Sequence, residues 1–231
     1  MIYQFKNSQE FEITYPDSDG KPMSDNTIQF RWITMIKSNL DWLFANNDNV
    51  FIAGDLLWYP LEGSNKLRQA PDVMIVFGRP KGDRGSYQQW KEKNIAPQVV
   101  FEILSPGNTQ TEMTRKLLFY DRYGVEEYYI YDPDKNDLNG LQRIDNRLET
   151  IENIDNWISP RLGIRFEIGS PELCLYYPDD QPFQSYVEIA QRLQESEAKL
   201  IKEHFRVQEE HERAEKLAAK LRELGINPDD I

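Results

Sequence analysis

Two short stretches decide the fold of this chain: PDVMIVFG at residues 71–78 and QVVFEILS at residues 98–105. In the first stretch five apolar residues follow Asp72, and in the second Glu102 interrupts an apolar run. Apolar residues at successive positions are typical of a β-strand that is buried on both faces. We therefore predict two adjacent strands at the centre of a covered sheet, each carrying one carboxylate.

Helix and strand patterns flank these two strands. Residues 27–46 predict an amphipathic helix, because apolar residues recur there at three- and four-residue spacing. Residues 109–122 predict a second helix, residues 50–59 and 125–132 predict further strands, and residues 138–177 predict several short strands. This order predicts an α/β or α+β core. The apolar face of the first helix is assigned to Ile28, Trp32, Ile36, Leu40 and Leu43.

The C-terminal part of the chain has a different composition. Residues 185–224 contain no Pro or Gly and carry charges of both signs, which predicts one helix about 60 Å long at 1.5 Å per residue. One seam with a seven-residue repeat is apolar, whereas the second seam is mostly polar, so any coiled coil is marginal. The first seam is Leu193, Leu200, Val207, Ala214 and Leu221, and the second is Glu197, His204, His211 and Ala218.

These patterns divide the chain into four parts. Residues 1–25 are polar and turn-rich and predict mostly loop, and residues 26–180 predict one globular domain. The long helix at residues 185–224 is a candidate for self-association, which would give a homo-oligomer such as a dimer, or for binding a partner protein. Gly225 and Pro228 predict the end of that helix, and residues 225–231 form a tail.

Composition excludes several classes of protein. The chain has 231 residues and one cysteine, Cys174, so an intramolecular disulfide framework is excluded. With only two histidines beside that cysteine, the usual structural zinc sites are excluded as well. No apolar run approaches the roughly 20 residues of a membrane span. We expect a soluble, cytoplasmic protein without membrane association.

The net charge of -12, from 27 Lys+Arg and 39 Asp+Glu, argues against a protein that coats DNA through many phosphate contacts. An acidic chain can still cut DNA if metal ions or a local basic patch offset its own repulsion. Residues 79–96 form the clearly basic segment, and its cations are candidate DNA contacts, with Tyr87 and Trp90 as candidates for base stacking. An ordinary solvated loop is the alternative. The five cations are Arg79, Lys81, Arg84, Lys91 and Lys93.

Three charged residues stand where a core would exclude charge. Burying an unpaired carboxylate costs several kcal/mol, so Asp72 and Glu102 each require a partner. On a helical wheel Lys116 falls within the apolar arc of Met113, Leu117 and Tyr120, facing the sheet. Separately, the carboxylates could form a salt bridge or lie at a solvated strand end, and the lysine could extend to the rim of its helix face.

Taken together, the three residues indicate a metal-dependent site. Two carboxylates on adjacent strands can hold Mg2+ or Mn2+, both of which prefer oxygen ligands. Such a cation lowers the pKa of water and stabilises charge on a phosphate, while Lys116 could orient the attacking water. Asp55 is a weaker candidate ligand, with a turn residue after Gly54 as the alternative. A glycosidase that uses Asp72 and Glu102 as acid and base is a further alternative.

The same residues carry a resemblance to a known family. Five motifs follow one another along the chain: GDLLWYP at 54–60, APDV at 70–73, FEILSP at 101–106, Lys116, and YGVEEYY at 123–129. This series resembles the Uma-two family of putative restriction endonucleases, in the form common in cyanobacteria, within the PD-(D/E)XK nuclease superfamily. The resemblance extends over roughly residues 25–180.

The resemblance implies a restriction-endonuclease-like αβββαβ core with a mixed central sheet and metal-dependent hydrolysis of DNA phosphodiester bonds. It implies Asp72 and Glu102 as metal ligands, together with the backbone carbonyl of Ile103. The superfamily pattern has a lysine two residues after the glutamate, where this chain has Leu104. In the resembling family the lysine lies on the following helix, a position that Lys116 fills. A nuclease fold without catalysis, which binds a partner through its C-terminal helix, is the alternative function.

Overall fold

The computed structural model describes residues 13–18, 20 and 24–224. The predicted N-terminal loop therefore lies mostly outside the described residues. The predicted tail, with Gly225 and Pro228, lies wholly outside them. The chain forms two compact units, Met1–Phe183 and Gln184–Ile231.

The first unit contains two helices and ten strands among the described residues. Its elements are α1 Thr27–Leu43, β1 Val50–Gly54, β2 Trp58–Tyr59, β3 Val73–Phe77, β4 Tyr87–Gln88, β5 Val99–Ile103, α2 Gln110–Tyr123, β6 Glu127–Asp132, β7 Asp137–Ile144, β8 Arg147–Thr150, β9 Arg165–Glu167 and β10 Cys174–Tyr176. A short 3-10 helix, Gln89–Lys91, follows β4. The predicted connection over residues 79–96 therefore has structure of its own.

The central sheet has six strands in the order β1-β3-β5-β6-β7-β8. The β5 and β6 strands are parallel, and every other neighbouring pair in this sheet is antiparallel. Small two-stranded sheets, β9 with β10 and β2 with β4, lie outside it. The order α1, β1, β3, β5, α2, β6 confirms the predicted αβββαβ core, and the sheet is mixed as predicted.

Both faces of the sheet are buried, as the two deciding stretches predicted. Along β3, Val73 and Ile75 belong to one apolar cluster and Met74 and Val76 to another, because successive side chains of a strand point to opposite faces. The first cluster contains the buried apolar residues of α1, and the second contains Phe119 and Tyr120 of α2. One helix therefore covers each face.

The predicted apolar face of α1 is confirmed at Trp32, Ile36 and Leu40, which are buried, and at Leu43, which packs against the same cluster, but not at Ile28. Ile28 was assigned to the apolar face, but it is 41% exposed. The buried side of the N-terminal half instead runs through Gln29, Trp32, Ile33 and Ile36. The side chain of Asn26 caps the helix by accepting a hydrogen bond from the Gln29 backbone N–H at 2.8 Å. Gln29, a polar residue, therefore faces the interior of the protein.

Glu127 has a structural role in the first unit. It is buried on the α1 face and accepts hydrogen bonds from the hydroxyls of Tyr129 and Ser159 and from the Arg161 backbone N–H. Burial raises the pKa of Glu127, although these hydrogen bonds oppose the rise. The carboxylate therefore fastens the loop at residues 159–161 to β6.

The second unit contains α3, Tyr186–Glu223, a helix of 38 residues. Ser185 and Glu188 form a capping box at its start, and no described residue of the helix is buried. This confirms the predicted long C-terminal helix. Among the described residues, no helix has both the length and the apolar character needed to cross a membrane.

Candidate functional site

The pairing of β3 with β5 brings Asp72 and Glu102 together. Val73 lies opposite Phe101 in this antiparallel pair, so the next residues along, Asp72 and Glu102, also lie opposite each other. Strand alternation directs both side chains to the face covered by α2. Glu102 is 2% exposed and Asp72 is 7% exposed.

Two side chains of α2 hold Glu102. The Lys116 ammonium donates to Oε2 at 2.7 Å, and the Tyr120 hydroxyl donates to Oε1 at 2.5 Å. Lys116 and Tyr120 are four residues apart and therefore share one face of the helix. This orientation of Lys116 agrees with the helical-wheel prediction. A carboxylate has about four lone-pair positions, so Glu102 retains acceptor capacity beyond these two hydrogen bonds.

Asp72 makes its hydrogen bond to the backbone of β5. Its Oδ2 atom accepts from the Ile103 N–H at 2.6 Å. The pairing of β3 with β5 ends at Val73 and Phe101, so Ile103 has no backbone partner on β3. Side chains instead form the hydrogen bonds of its N–H and carbonyl on that side. The Ile103 carbonyl accepts a hydrogen bond from Gln29 Nε2 at 2.9 Å.

The buried charges shift one another's pKa values. Burial raises the pKa of Asp72 to about 8; the negative charge of Glu102 adds to this rise, and Lys116 opposes it. For Lys116, burial opposes the charged form, but the attraction of Glu102 and Asp72 outweighs burial and raises the pKa to about 12. Without a bound metal Lys116 is therefore protonated at neutral pH and can donate hydrogen bonds.

The side chain of Tyr128 lies on the same face of the sheet as Glu102, and its buried hydroxyl makes no hydrogen bond to the described residues. Burial and the charge of Glu102 raise the pKa of this phenol. A buried hydroxyl without a partner is unusual in proteins, and here it indicates a position for water or another oxygen ligand.

The donor set fits a hard divalent cation. Asp72, Glu102 and the Ile103 carbonyl offer oxygen atoms, and once Asp72 has lost its proton the two carboxylates exceed the single positive charge of Lys116. Among residues 13–18, 20 and 24–224, no group of three or more His, Cys, Asp or Glu side chains is placed to hold a metal. Mg2+ is usually bound by one or two carboxylates together with water and substrate phosphates, and Asp72 and Glu102 supply two carboxylates.

Asp55 lies at the edge of this arrangement. It follows the end of β1 with φ of 46°, and its N–H donates to the Asp72 carbonyl at 3.2 Å. Its charge contributes to the raised pKa of Asp72. The structure does not combine the Asp55, Asp72 and Glu102 side chains into a three-ligand group, so direct metal binding by Asp55 stays a prediction.

Three of the five predicted DNA-contacting cations have partners within the protein. Arg79 and Arg84 both pair with Glu92, at 2.6 and 2.8 Å. Lys81 donates to the carbonyls of Phe44 and Ala45. These contacts give the three cations a structural role in holding the loop.

The other members of the basic segment differ in exposure. Lys91 and Lys93 are exposed, and their side chains make no ion pair to another described residue. The prediction that Tyr87 stacks on bases is wrong, because Tyr87 is fully buried and its hydroxyl donates to the Ile95 carbonyl. Trp90 packs against Tyr15, with 4.9 Å between ring centroids.

Sequence patterns did not predict the polar contacts of Gln29 and Tyr120 or the unpartnered hydroxyl of Tyr128. For Gln29 a signal was present, because it precedes Trp32 and Ile33 by three and four residues and so shares their face. Tyr120 was placed correctly toward the sheet, but only as an apolar side chain. No sequence pattern distinguishes the unpartnered hydroxyl of Tyr128 from that of its buried neighbours.

Comparisons with known proteins were made for the whole chain. The model of the family Uma2, described as "Putative restriction endonuclease", matches residues 21–171, which is more than half of the chain. A solved structure from Anabaena variabilis, described as a putative nuclease belonging to DUF820, is 18% identical, with a TM-score of 0.48. That similarity covers 65% of this chain and 85% of the other. A comparison with curated proteins found no match.

Proposed function

This chain belongs to the Uma2 family of putative restriction endonucleases, as its motifs predicted, and from that premise we propose that it is a metal-dependent endonuclease that hydrolyses DNA phosphodiester bonds. The observation that carries the proposal is the buried pair of Asp72 and Glu102 with Lys116 at 2.7 Å from Glu102. Family membership supports a nuclease and gives no support to the glycosidase alternative.

The residues that would hold Mg2+ or Mn2+ are Asp72, Glu102 and the backbone carbonyl of Ile103. When bound there, the cation supplies positive charge beside the scissile phosphate and lowers the pKa of water. Asp72 releases its proton as it becomes a ligand, because ligating carboxylates are ionised.

The protein's own groups position the reactants. Tyr120 and Lys116 hold Glu102 in one orientation through both of its oxygen atoms. Without a bound metal, attraction to Glu102 and Asp72 outweighs burial and raises the pKa of Lys116 to about 12. Its ammonium group can therefore orient an attacking water molecule and stabilise the negative charge that develops on the phosphate.

Binding of DNA is expected to be weak, dependent on metal and confined to one face. The net charge is -12, and much of the predicted basic patch is occupied by internal contacts. Lys91 and Lys93 remain as candidate phosphate contacts. A bound cation would offset part of the repulsion between the carboxylate site and the phosphate backbone.

The proposal is tested by Mg2+-dependent nicking of supercoiled plasmid. The wild type should nick DNA with Mg2+ and not with EDTA, and Asp72→Asn should lose at least about 100-fold of the activity, as expected when an essential charged group is removed. Asp41→Asn, which alters an exposed carboxylate paired with Lys37, should retain activity and serves as the matched control. Equal activity in the wild type and Asp72→Asn, or no wild-type activity on several DNAs, would count against the proposal.

For α3 we propose self-association through its apolar seam. Leu193, Leu200 and Val207 are each more than half exposed within the second unit. Burying such residues in a helix pair is favourable at about 25 cal/mol per Å2. Light scattering of the full chain should give the mass of a dimer, and the double substitution Leu193→Glu with Leu200→Glu should reduce it to a monomer. An unchanged mass would show that the seam does not form the dimer contact.

The second candidate function is a non-catalytic module that binds a partner protein through α3. The exposed apolar residues of α3 favour it independently of the carboxylate site. This function would be supported over the nuclease if the wild type bound no metal and cut no DNA. The purified full chain should then also be a monomer, because α3 would associate with the partner protein and not with a second copy.

A further inference from the structure

Gln29 is a buried polar residue of α1 that the proposed chemistry does not yet use. It is 6% exposed. Its Nε2 donates to the Ile103 carbonyl at 2.9 Å, and its Oε1 accepts from the Asp25 N–H at 2.8 Å. One partner requires a donor and the other an acceptor, so the amide has only one orientation that satisfies both.

The contact with Ile103 reaches directly to the candidate metal ligands. The Ile103 N–H donates to Asp72 Oδ2 at 2.6 Å, while its carbonyl accepts from Gln29. The same residue of β5 is therefore held by a side chain from β3 and by one from α1. Rotation of this part of the backbone would move both the carbonyl and the Asp72 carboxylate.

Gln29 is itself fixed by the start of α1. Asp25, whose N–H binds the Gln29 amide, accepts a hydrogen bond from the Ser105 hydroxyl at 2.6 Å. Ser105 is 7% exposed and lies two residues beyond the end of β5. A closed chain of contacts thus runs from Ser105 through Asp25 and Gln29 to the carbonyl of Ile103.

We propose that Gln29 is a positioning residue of the metal centre, which holds the Ile103 carbonyl in the orientation that a divalent cation requires. This inference rests on the proposed function, because it assumes a cation bound by Asp72, Glu102 and that carbonyl. Residues that orient metal ligands typically change metal affinity by 10- to 100-fold when they are replaced. A purely structural Gln29, which only joins α1 to β5, would instead change stability and leave metal affinity unaltered.

The test compares two substitutions on the same helix. Gln29→Met retains the length of the side chain but removes both hydrogen bonds. Asn39→Leu is the matched control, because Asn39 is also buried on α1 and binds the Met35 carbonyl and the Tyr177 hydroxyl away from the carboxylates. The measurements are the Kd for Mn2+ by isothermal titration calorimetry and the Tm without metal, both on the full chain.

We expect Gln29→Met to weaken Mn2+ binding by about tenfold or more, at the lower end of the range for residues that orient metal ligands. Asn39→Leu should lower the Tm but keep the wild-type Kd. A Gln29→Met protein that is folded and binds Mn2+ within about twofold of the wild type would overturn the inference alone. Equal weakening in both variants would also overturn it, since the effect would then come from lost stability.

Two further outcomes separate this inference from the proposed function. A wild type that binds no Mn2+ refutes the metal centre, and the role of Gln29 with it. Should Gln29→Met fail to fold, Ser105→Ala tests the same chain of contacts by removing the hydroxyl that holds Asp25. We then expect Mn2+ binding to weaken several-fold, and an unchanged Kd would overturn the positioning role.

Discussion

Replacing Asp72 by Asn should stabilise the protein above neutral pH while removing its activity. Burial, followed by the charge of Glu102, raises the pKa of Asp72 from 3.8 to about 8. Between these values the folded state holds a proton that the unfolded state has lost, so the free energy of unfolding decreases as pH rises. The amide is neutral at every pH and can still accept the hydrogen bond from the Ile103 N–H, so Asp72→Asn should lack this decrease.

The expected magnitude follows from the same two pKa values. A pKa difference of one unit corresponds to about 1.4 kcal/mol, so ionising Asp72 in the folded protein costs roughly 6 kcal/mol more than in the unfolded chain. Most of this cost falls between pH 5 and pH 8. We expect the stability advantage of Asp72→Asn over the wild type to grow by about 3.5 kcal/mol across that interval.

The assay is urea denaturation in EDTA at pH 5 and pH 8. Asp41→Asn is the control, since Asp41 is 46% exposed in its pair with Lys37 and should contribute less than about 1 kcal/mol at either pH. If the free energy of unfolding had the same pH dependence in the wild type and in Asp72→Asn, the raised pKa of Asp72 would be refuted. A variant that is less stable than the wild type at pH 8 would refute it as well. Added Mn2+ should raise the Tm of the wild type and leave that of Asp72→Asn unchanged.

Three further substitutions test the surroundings of the site. Lys116→Met should reduce plasmid nicking by at least about 100-fold. It should also lower the free energy of unfolding by about 3 kcal/mol, because it leaves Glu102 as a buried charge without its cation. Unchanged activity in a folded variant would contradict the role of the lysine. Tyr120→Phe should cost about 2 kcal/mol in urea denaturation, the usual value of a hydrogen bond to a charged group, and a loss below about 0.5 kcal/mol would show that this contact is unimportant. Lys91→Ala combined with Lys93→Ala should weaken DNA binding by filter assay and reduce its salt dependence, whereas an unaltered salt slope would remove this segment from the interface.

The core of the fold was predictable because its signals are local. Uninterrupted apolar residues after Asp72 and around Glu102 mark strands buried on both faces, and strand alternation then places the two carboxylates. Lys116 was oriented correctly by its position among the apolar residues of α2. The residues that the Uma2 family model matches, 21–171, include both carboxylates and Lys116.

The remaining features depend on contacts that are distant in sequence. The pairing of Arg79 and Arg84 with Glu92 turns a predicted DNA-binding loop into an internally bound one, and no composition argument reveals such a pairing. Gln29 acquires its role only when α1 is packed against the end of β5, 74 residues further along the chain. On the face of α1 only Ile28 was misassigned, because it fits a helical repeat as well as Gln29 does, although only Gln29 is buried.

The central claim is that Asp72 and Glu102 share a catalytic cation. A crystal of the full chain soaked in Mn2+ tests it most directly through anomalous scattering. We expect one strong peak with a carboxylate oxygen of Asp72 and one of Glu102 as ligands, each about 2.0–2.3 Å from the metal. A fully ordered site without a peak between these carboxylates, or Mn2+ bound only elsewhere on the protein, would contradict it.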